Sequence, residues 1–162
     1  MPFVVDGKIG VDLTKTTTVA QYSLGTVVHT NDGGMYEYCR ARSEVSEFAA
    51  VAIFEGNSIR MAETSILNDA GGTKKVGFAQ VSIASGYYGW VARMGKVKCA
   101  LLDDCADNVP LFTTTTAGSL DDATVSNCLV LGVYLPVTAS LATALTVLAN
   151  LPATVAPYTN PA

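Results

Sequence analysis

The chain has 162 residues, of which 49% are hydrophobic and 15% charged, and a formal net charge of −4. The length fits one domain able to bury about two-thirds of its unfolded surface, while the charged fraction falls well below the roughly 25% of an ordinary soluble domain, so something besides water is expected to cover part of the surface. The acidic balance excludes a partner held through phosphates: nucleic-acid binding needs clustered Lys and Arg, and Lys74-Lys75 and Lys96/Lys98 read as solvated turn or strand-face charges.

Residues 1–20 carry Thr14, Thr16, Thr17 and Thr18 with Gly7 and Gly10, show no helical period, and are expected to form an extended N-terminal arm. Residues 21–162 are expected to form a single β-rich domain. In it GTVVHT, NDGG and MYEYCR read as a hairpin, because the Asn/Asp/Gly cluster supplies positive φ angles between two β-prone runs. Ser43–Phe48 has capping spacing that fits a short helix. AAVAIFEG reads as a buried strand, and Ile59–Asn68 is open between helix and strand.

Val76–Ala84 is apolar on both faces and predicts an interior strand, turning at Ala84-Ser85-Gly86 into a second strand over Tyr87–Met94. A turn at Gly95 separates this from a strand over Lys96–Leu102, and further strands are expected at Leu111–Thr116 and Cys128–Leu135, the last stopped by Pro136. Polar residues recur at near-helical spacing from Ser140 to Asn150 and suggest a helix over Ala139–Ala149, with a strand over Ala144–Leu148 as the alternative. Eight to ten short strands with close turn signals predict a mainly β fold, an antiparallel β-barrel or β-sandwich with one or two short helices.

From Ala123 to Ala162 there is no charged side chain. A membrane span is disfavoured by Pro136, by Thr138, Ser140, Thr143, Thr146 and Asn150, and by the lack of Lys or Arg after Lys98 to anchor it. The stretch is therefore expected to be buried in the domain or against neighbouring subunits.

Catalytic and metal chemistry finds little purchase. His29 lies in a Thr/Val run with no nucleophile motif nearby. Cys39, Cys99, Cys105 and Cys128 form no CxxC pair, so zinc is not expected, and with no signal peptide read at the N-terminus a reducing cytoplasm and free, mostly buried thiols are. Asp103-Asp104 and Asp121-Asp122 would point to opposite faces of a strand, which argues against shared carboxylate sites. Asn31–Gly34 and Asp69–Gly72 lack the GK[ST] continuation of a phosphate loop and read as turns. No cofactor or catalytic residue is assigned. Tyr88 and Trp90 share one strand face, with Tyr87 on the other, where they would serve as core, as a subunit contact or as a stacking platform for a sugar.

The order AQYSLGTVVHTNDGGMYEYCRA, GFAQVSIASGYYGWVARMGKVKC and VPLFTTTTAGSLDDATV resembles the small head-decoration (cement) proteins of tailed bacteriophages. The resemblance implies a non-enzymatic β-rich protein, made in the host cytoplasm. It would sit on the outer capsid surface of the virion, often as a homotrimer, and clamp neighbouring major capsid protein subunits. Candidate interface residues on this reading are Phe3, Val4 and Val5 in the arm, Tyr87, Tyr88 and Trp90, and Leu141, Leu145 and Leu148 in the uncharged segment. The rival reading is a carbohydrate- or receptor-binding surface or fibre module.

Overall fold

Runs of β-branched and aromatic residues between Gly- and Asn-bearing turns form ten strands among the residues described by the computed structural model, 11–69, 74–123 and 128–155. They are β1 (Val27–His29), β2 (Met35–Ala41), β3 (Ala50–Phe54), β4 (Ser58–Met61), β5 (Lys75–Ala79), β6 (Tyr88–Leu101), β7 (Leu111–Thr113), β8 (Leu120–Asp121), β9 (Leu129–Tyr134) and β10 (Thr143–Thr154). Helix is confined to a 3-10 turn at Glu55–Asn57 and α1 (Thr64–Asp69), so the mainly β expectation holds. The sheet is mixed, because β2–β4 and β6–β8 pair in parallel while the remaining ladders are antiparallel.

The ladders close on themselves twice. Pairings β2–β4, β4–β3, β3–β5, β5–β6 and β6–β2 make one five-stranded ring. Pairings β6–β8, β8–β7, β7–β9, β9–β10 and β10–β6 make a second. Strand β6, 14 residues long, belongs to both.

The rings are two copies of one plan. The register Tyr38↔Trp90 and Arg40↔Tyr88 in the first matches Lys98↔Thr146 and Ala100↔Ala144 in the second. Ala41↔Ile59 matches Leu101↔Leu120, Ile53↔Ile59 matches Thr113↔Leu120, and Phe78↔Ala92 matches Tyr134↔Leu148. Each ring mouth is crossed by one isolated bridge, Val45↔Ile83 or Cys105↔Ala139. Beyond each bridge a residue takes a left-handed φ, 63° at Phe48 and 59° at Asn108, and donates its N–H to a carbonyl at matching positions, Ala79 and Leu135.

Side-chain alternation then sends one set of residues into each ring. Cys39, Ala41, Val45, Val51, Ile53, Ile59, Ala79, Ile83 and Val91 fill the first. Cys99, Leu101, Cys105, Leu111, Thr113, Leu120, Leu135, Ala139 and Val147 hold the corresponding positions of the second, all buried. Volume is exchanged between positions: Ala41 and Ala79 become Leu101 and Leu135, while Ile83 becomes Ala139, so a ring of similar volume is filled by a different sequence. Thr113 is tolerated inside because its hydroxyl bonds Thr64 Oγ1 at 3.1 Å and accepts the Cys128 N–H at 3.1 Å.

Four local expectations are corrected. Ser43–Phe48 is not helical, because the chain must cross the ring mouth there and Val45 pairs with Ile83. The strand expected over Val76–Ala84 ends at Ala79 for the same reason. Gly95 does not end a strand: with φ 107° it bends β6 internally, and a side chain there would meet the Gly34 Cα at 2.9 Å. Ala139–Ala149 is not a helix; it enters β10, whose register with Lys96–Leu101 satisfies its backbone in place of helical hydrogen bonds. Within Ile59–Asn68, left open by the sequence, β4 and α1 both occur.

The two rings are sealed differently at one equivalent level. In the first, Arg93 Nη1 donates to Glu37 Oε2 at 2.8 Å, both side chains 5% exposed, and Lys75 Nζ lies 3.4 Å from Glu37 Oε1. Gly77 leaves the room: a Cβ there would stand 2.4 Å from Val91 Cγ1 and 3.2 Å from Arg93 Cδ. In the second, the matching positions are Val97, Ala149 and Val133. Removing one member of a buried pair strands the other charge, at about 3–5 kcal/mol, whereas an apolar replacement of the whole pair is often close to neutral. Arg93→Ala alone is expected to lose about that much stability in denaturant unfolding. The double change Glu37→Val with Arg93→Ala, which installs the solution used by the second ring, is expected to recover at least half of the loss.

Candidate functional site

Three places concentrate chemistry or exposed surface. The first is an aromatic cluster on the outer face of the first ring. Alternation on β2 and β6 brings Tyr38, Tyr88 and Trp90 to one face, and Tyr22 closes over them. Tyr22 stands 5.3 Å from Tyr38 and 5.2 Å from Trp90 between ring centroids, and Tyr38 stacks on Tyr88 at 6.2 Å and 16°. The Tyr38 hydroxyl accepts the Gln21 N–H at 3.1 Å, and Thr17 and Tyr88 exchange backbone hydrogen bonds of 3.0 and 2.8 Å. This pins the segment before β1 to the ring. Outside the rings lies a cleft of about 290 Å³ lined by Asp12, Lys15, Thr17, Gln21, Tyr22, Tyr38 and Trp90.

Trp90 is 2% exposed and is core, in line with one of the sequence readings. Tyr88 is half-buried, with the Arg40 guanidinium 5.7 Å from its ring centroid. Tyr87 packs from the opposite side against the interior of the first ring, as strand alternation requires. Phe3, Val4 and Val5 lie outside the described residues.

The second place holds Cys105, Asp121 and Asp122, whose sulfur and carboxylate oxygens lie within 4.8 Å of one another. The expectation that Asp121 and Asp122 diverge is overturned here, since β8 ends at Asp121 and the chain bends at Asp122. Asp122 Oδ2 accepts the Ala106 N–H at 3.1 Å, and that contact tethers the Asp103–Asp107 loop. Burial holds the Asp121 carboxyl above its ordinary range. Burial, then the Asp122 and Asp121 carboxylates, push the Cys105 thiol up to about 11. Such a thiol is a poor nucleophile at neutral pH.

The other cysteines are alike in this respect. All four are free and buried, as the sequence reading of the thiols expects. Burial, reinforced by the Glu37 carboxylate, pushes Cys39 up to about 12, and burial raises Cys99 and Cys128 as well. His29 sits exposed on β1.

The third place is a run of exposed apolar side chains on β9, β10 and their connection. Of the ten large hydrophobic side chains exposed among the described residues, seven fall between Leu131 and Val155: Leu131, Tyr134, Val137, Leu141, Leu148, Leu151 and Val155. Leu141, at 72%, and Leu148, at 42%, were among the candidate interface residues, and both face solvent. Leu145 is half-buried against the core. The uncharged segment is thus only partly buried in its own domain. Tyr134 and Leu131 escaped the sequence reading, although their place in a charge-free strand was a usable signal.

No family model, curated protein or solved structure matches the chain. Among the described residues no helix is long and apolar enough to cross a membrane.

The thiols give a testable pH dependence. The folded Cys39 pKa of about 12 lies above the ordinary thiol value of 9.0, so the unfolded chain releases its proton first. Stability from this group is full below about pH 9 and falls as pH rises toward 12, by up to about 1.4 kcal/mol per pH unit. Guanidinium unfolding at pH 8 and pH 10 is expected to show the loss, and Cys39→Ala to reduce it without abolishing it, because Cys99, Cys105 and Cys128 are raised as well. Thiol-reactive labelling at pH 7.5 is expected to be slow in the native protein and complete only on unfolding.

Proposed function

We propose that this chain is a non-catalytic structural protein of a tailed-bacteriophage particle. It binds the outer surface of the capsid and stabilises it by clamping neighbouring major capsid protein subunits, acting as a homotrimer. The observation that carries an assembly role is the charge-free apolar surface between Leu131 and Val155, on side chains 39–72% exposed. So many exposed large apolar groups in one uncharged segment fit a surface that another macromolecule covers. The capsid as target is supported by the resemblance of the three quoted segments to head-decoration proteins.

The rest of the molecule suits attachment. Closed rings leave few strand edges open to unwanted pairing. A net charge of −4 disfavours contact with packaged nucleic acid. The buried, protonated thiols offer no activated nucleophile.

A glycan-binding reading draws on one observation, the cleft beside Tyr22, Tyr38 and Trp90 with Asp12, Lys15 and Gln21 at hand. It is weakened by the burial of Tyr38 and Trp90, each 2% exposed, which leaves little aromatic face for a sugar.

Mixing the protein with capsids assembled from the phage's major capsid protein is expected to give saturable co-sedimentation and a raised capsid melting temperature. Cryo-EM density is expected on the outer shell. Absence of capsid binding together with saturable binding on a glycan array would overturn the proposal in favour of the second reading.

A further inference from the structure

The duplicated plan allows the two rings to be compared edge by edge. In the first ring Tyr88, at the start of β6, pairs with Arg40 of β2 on one side. Its other side is taken by the segment before β1. Thr17 donates its N–H to the Tyr88 carbonyl at 3.0 Å and Tyr88 donates to the Thr17 carbonyl at 2.8 Å, an isolated antiparallel bridge. The matching residue of the second ring is Ala144, near the start of β10, which pairs with Ala100 of β6 on one side. On its other side no strand pairs with it among the described residues, because the β9 ladder begins only at Leu148↔Tyr134. Thr143–Val147 is therefore an open edge in the second ring at the level where the first ring is covered.

The backbone groups of this edge face outward. Ala100 donates its N–H to the Phe48 carbonyl at 2.8 Å, so it is turned away from β10 and Ala100↔Ala144 is a non-hydrogen-bonded pair. Alternation along the ladder then directs the N–H and C=O of both Ala144 and Thr146 away from β6. Thr143 and Thr146 are exposed, and Ala144 and Leu145 are half-buried. One residue keeps the edge open. In the first ring the β5–β6 ladder runs on to Ala79↔Val91, whereas the matching pair Leu135↔Val147 is missing from the second. Forming it needs an N–H from residue 136 to the Thr146 carbonyl. The first ring has Gln80 at that position; the second has Pro136, which has no N–H to give.

Resting on the attachment reading above for the owner of the segment, we propose that the Thr143–Val147 edge of β10 is a strand-acceptor site, filled by an extended, uncharged, β-branched segment of the capsid protein that pairs antiparallel with it. The chemistry of the occupant is read from the first ring, where the equivalent edge is taken by a segment lying outside both rings and running Thr16-Thr17-Thr18-Val19. The acceptor suits such a segment, since no charged side chain occurs between Ala123 and Ala162 and main-chain hydrogen bonds supply the affinity. A second copy of this chain is the poorer occupant. Its own Thr-rich segment is already committed to Tyr88, and pairing two β10 edges sets molecules of net charge −4 side by side.

Amide hydrogen exchange of the full chain, followed residue by residue by NMR, tests this. Alone, the protein is expected to exchange freely at Ala144 and Thr146 and slowly at Tyr88. The acetylated and amidated peptide TTTVA, which copies Thr16–Ala20, is the probe, and adding it is expected to slow exchange at Ala144 and Thr146. Ala144→Pro removes an N–H that β6 does not use, so it is expected to keep the wild-type circular dichroism and to weaken peptide binding at least about 10-fold, the effect of one lost hydrogen bond. Pro136→Gln, which installs the residue of the first ring and lets β9 reach Thr146, is the second variant; it is expected to raise the melting temperature and to weaken binding likewise. Ala144 and Thr146 amides that stay freely exchanging with peptide present overturn the inference, and so does binding that both variants retain. Protection of these amides that rises with protein concentration alone also overturns it and assigns the edge to a second copy. Capsid co-sedimentation of the same proteins separates this site from the attachment reading. Peptide protection without any capsid binding by the wild type sinks the capsid role and keeps the acceptor edge, and capsid binding that neither variant alters does the reverse.

Discussion

Strand β6 is the constraint on which the rest of the molecule depends. Its first part, Tyr88–Met94, closes the first ring against β2 and β5, and its second part, Lys96–Leu101, opens the second ring against β10 and β8. One continuous backbone thus fixes the relative position of both rings, with no linker between them. The bend at Gly95 makes this possible, since φ 107° is open to glycine and the approach of Gly34 leaves no space for a side chain. At the matching position of β10, Leu151 adopts φ 48°, and an apolar side chain is carried outward on strained backbone.

Two copies of one plan have been finished by different physics. The first ring has an ion pair across one end and an outer face of Tyr36, Tyr38, Phe78 and Trp90 that is buried in the main core. The second has an apolar seal and an outer face of Lys96, Lys98, Tyr134, Thr146 and Leu148 turned to solvent. Aromatic burial is thereby concentrated in the first ring and its cover, where large rings lose most water-exposed area. The second ring is left to present surface. That division fits the attachment role proposed above, because the presenting face can change without disturbing the aromatic core.

Local turn and strand chemistry was legible along the chain. The Asn/Asp/Gly cluster at Asn31–Gly34 does join β1 and β2, AAVAIF is a buried strand, and the burial of Trp90 and the free thiols follow from residue type. The candidate surface was legible in part, because the absence of charge after Asp122 marks it even though it does not say which side chains face out. What misled were periodicities of short range: Ser140–Asn150 has helical spacing of its polar residues, yet the backbone partners supplied by Lys96–Leu101 decide for strand. The ring duplication left almost no trace, since of the nine interior positions only Cys39/Cys99 and Val91/Val147 are identical. A closed ring selects for summed volume and alternation rather than for particular residues.

The sequence by itself determined composition, alternation and turn chemistry, and so the β class, the buried aromatic strand and the charge-free stretch, because these depend on neighbours within a few residues. Only the tertiary structure decided that the strands close twice around a shared β6, that Asp121 and Asp122 converge on Cys105, and that Leu148 is exposed where its counterpart Ala92 is buried. Each of these is set by which distant strand arrives alongside, a matter of register and closure that no local window of residues contains.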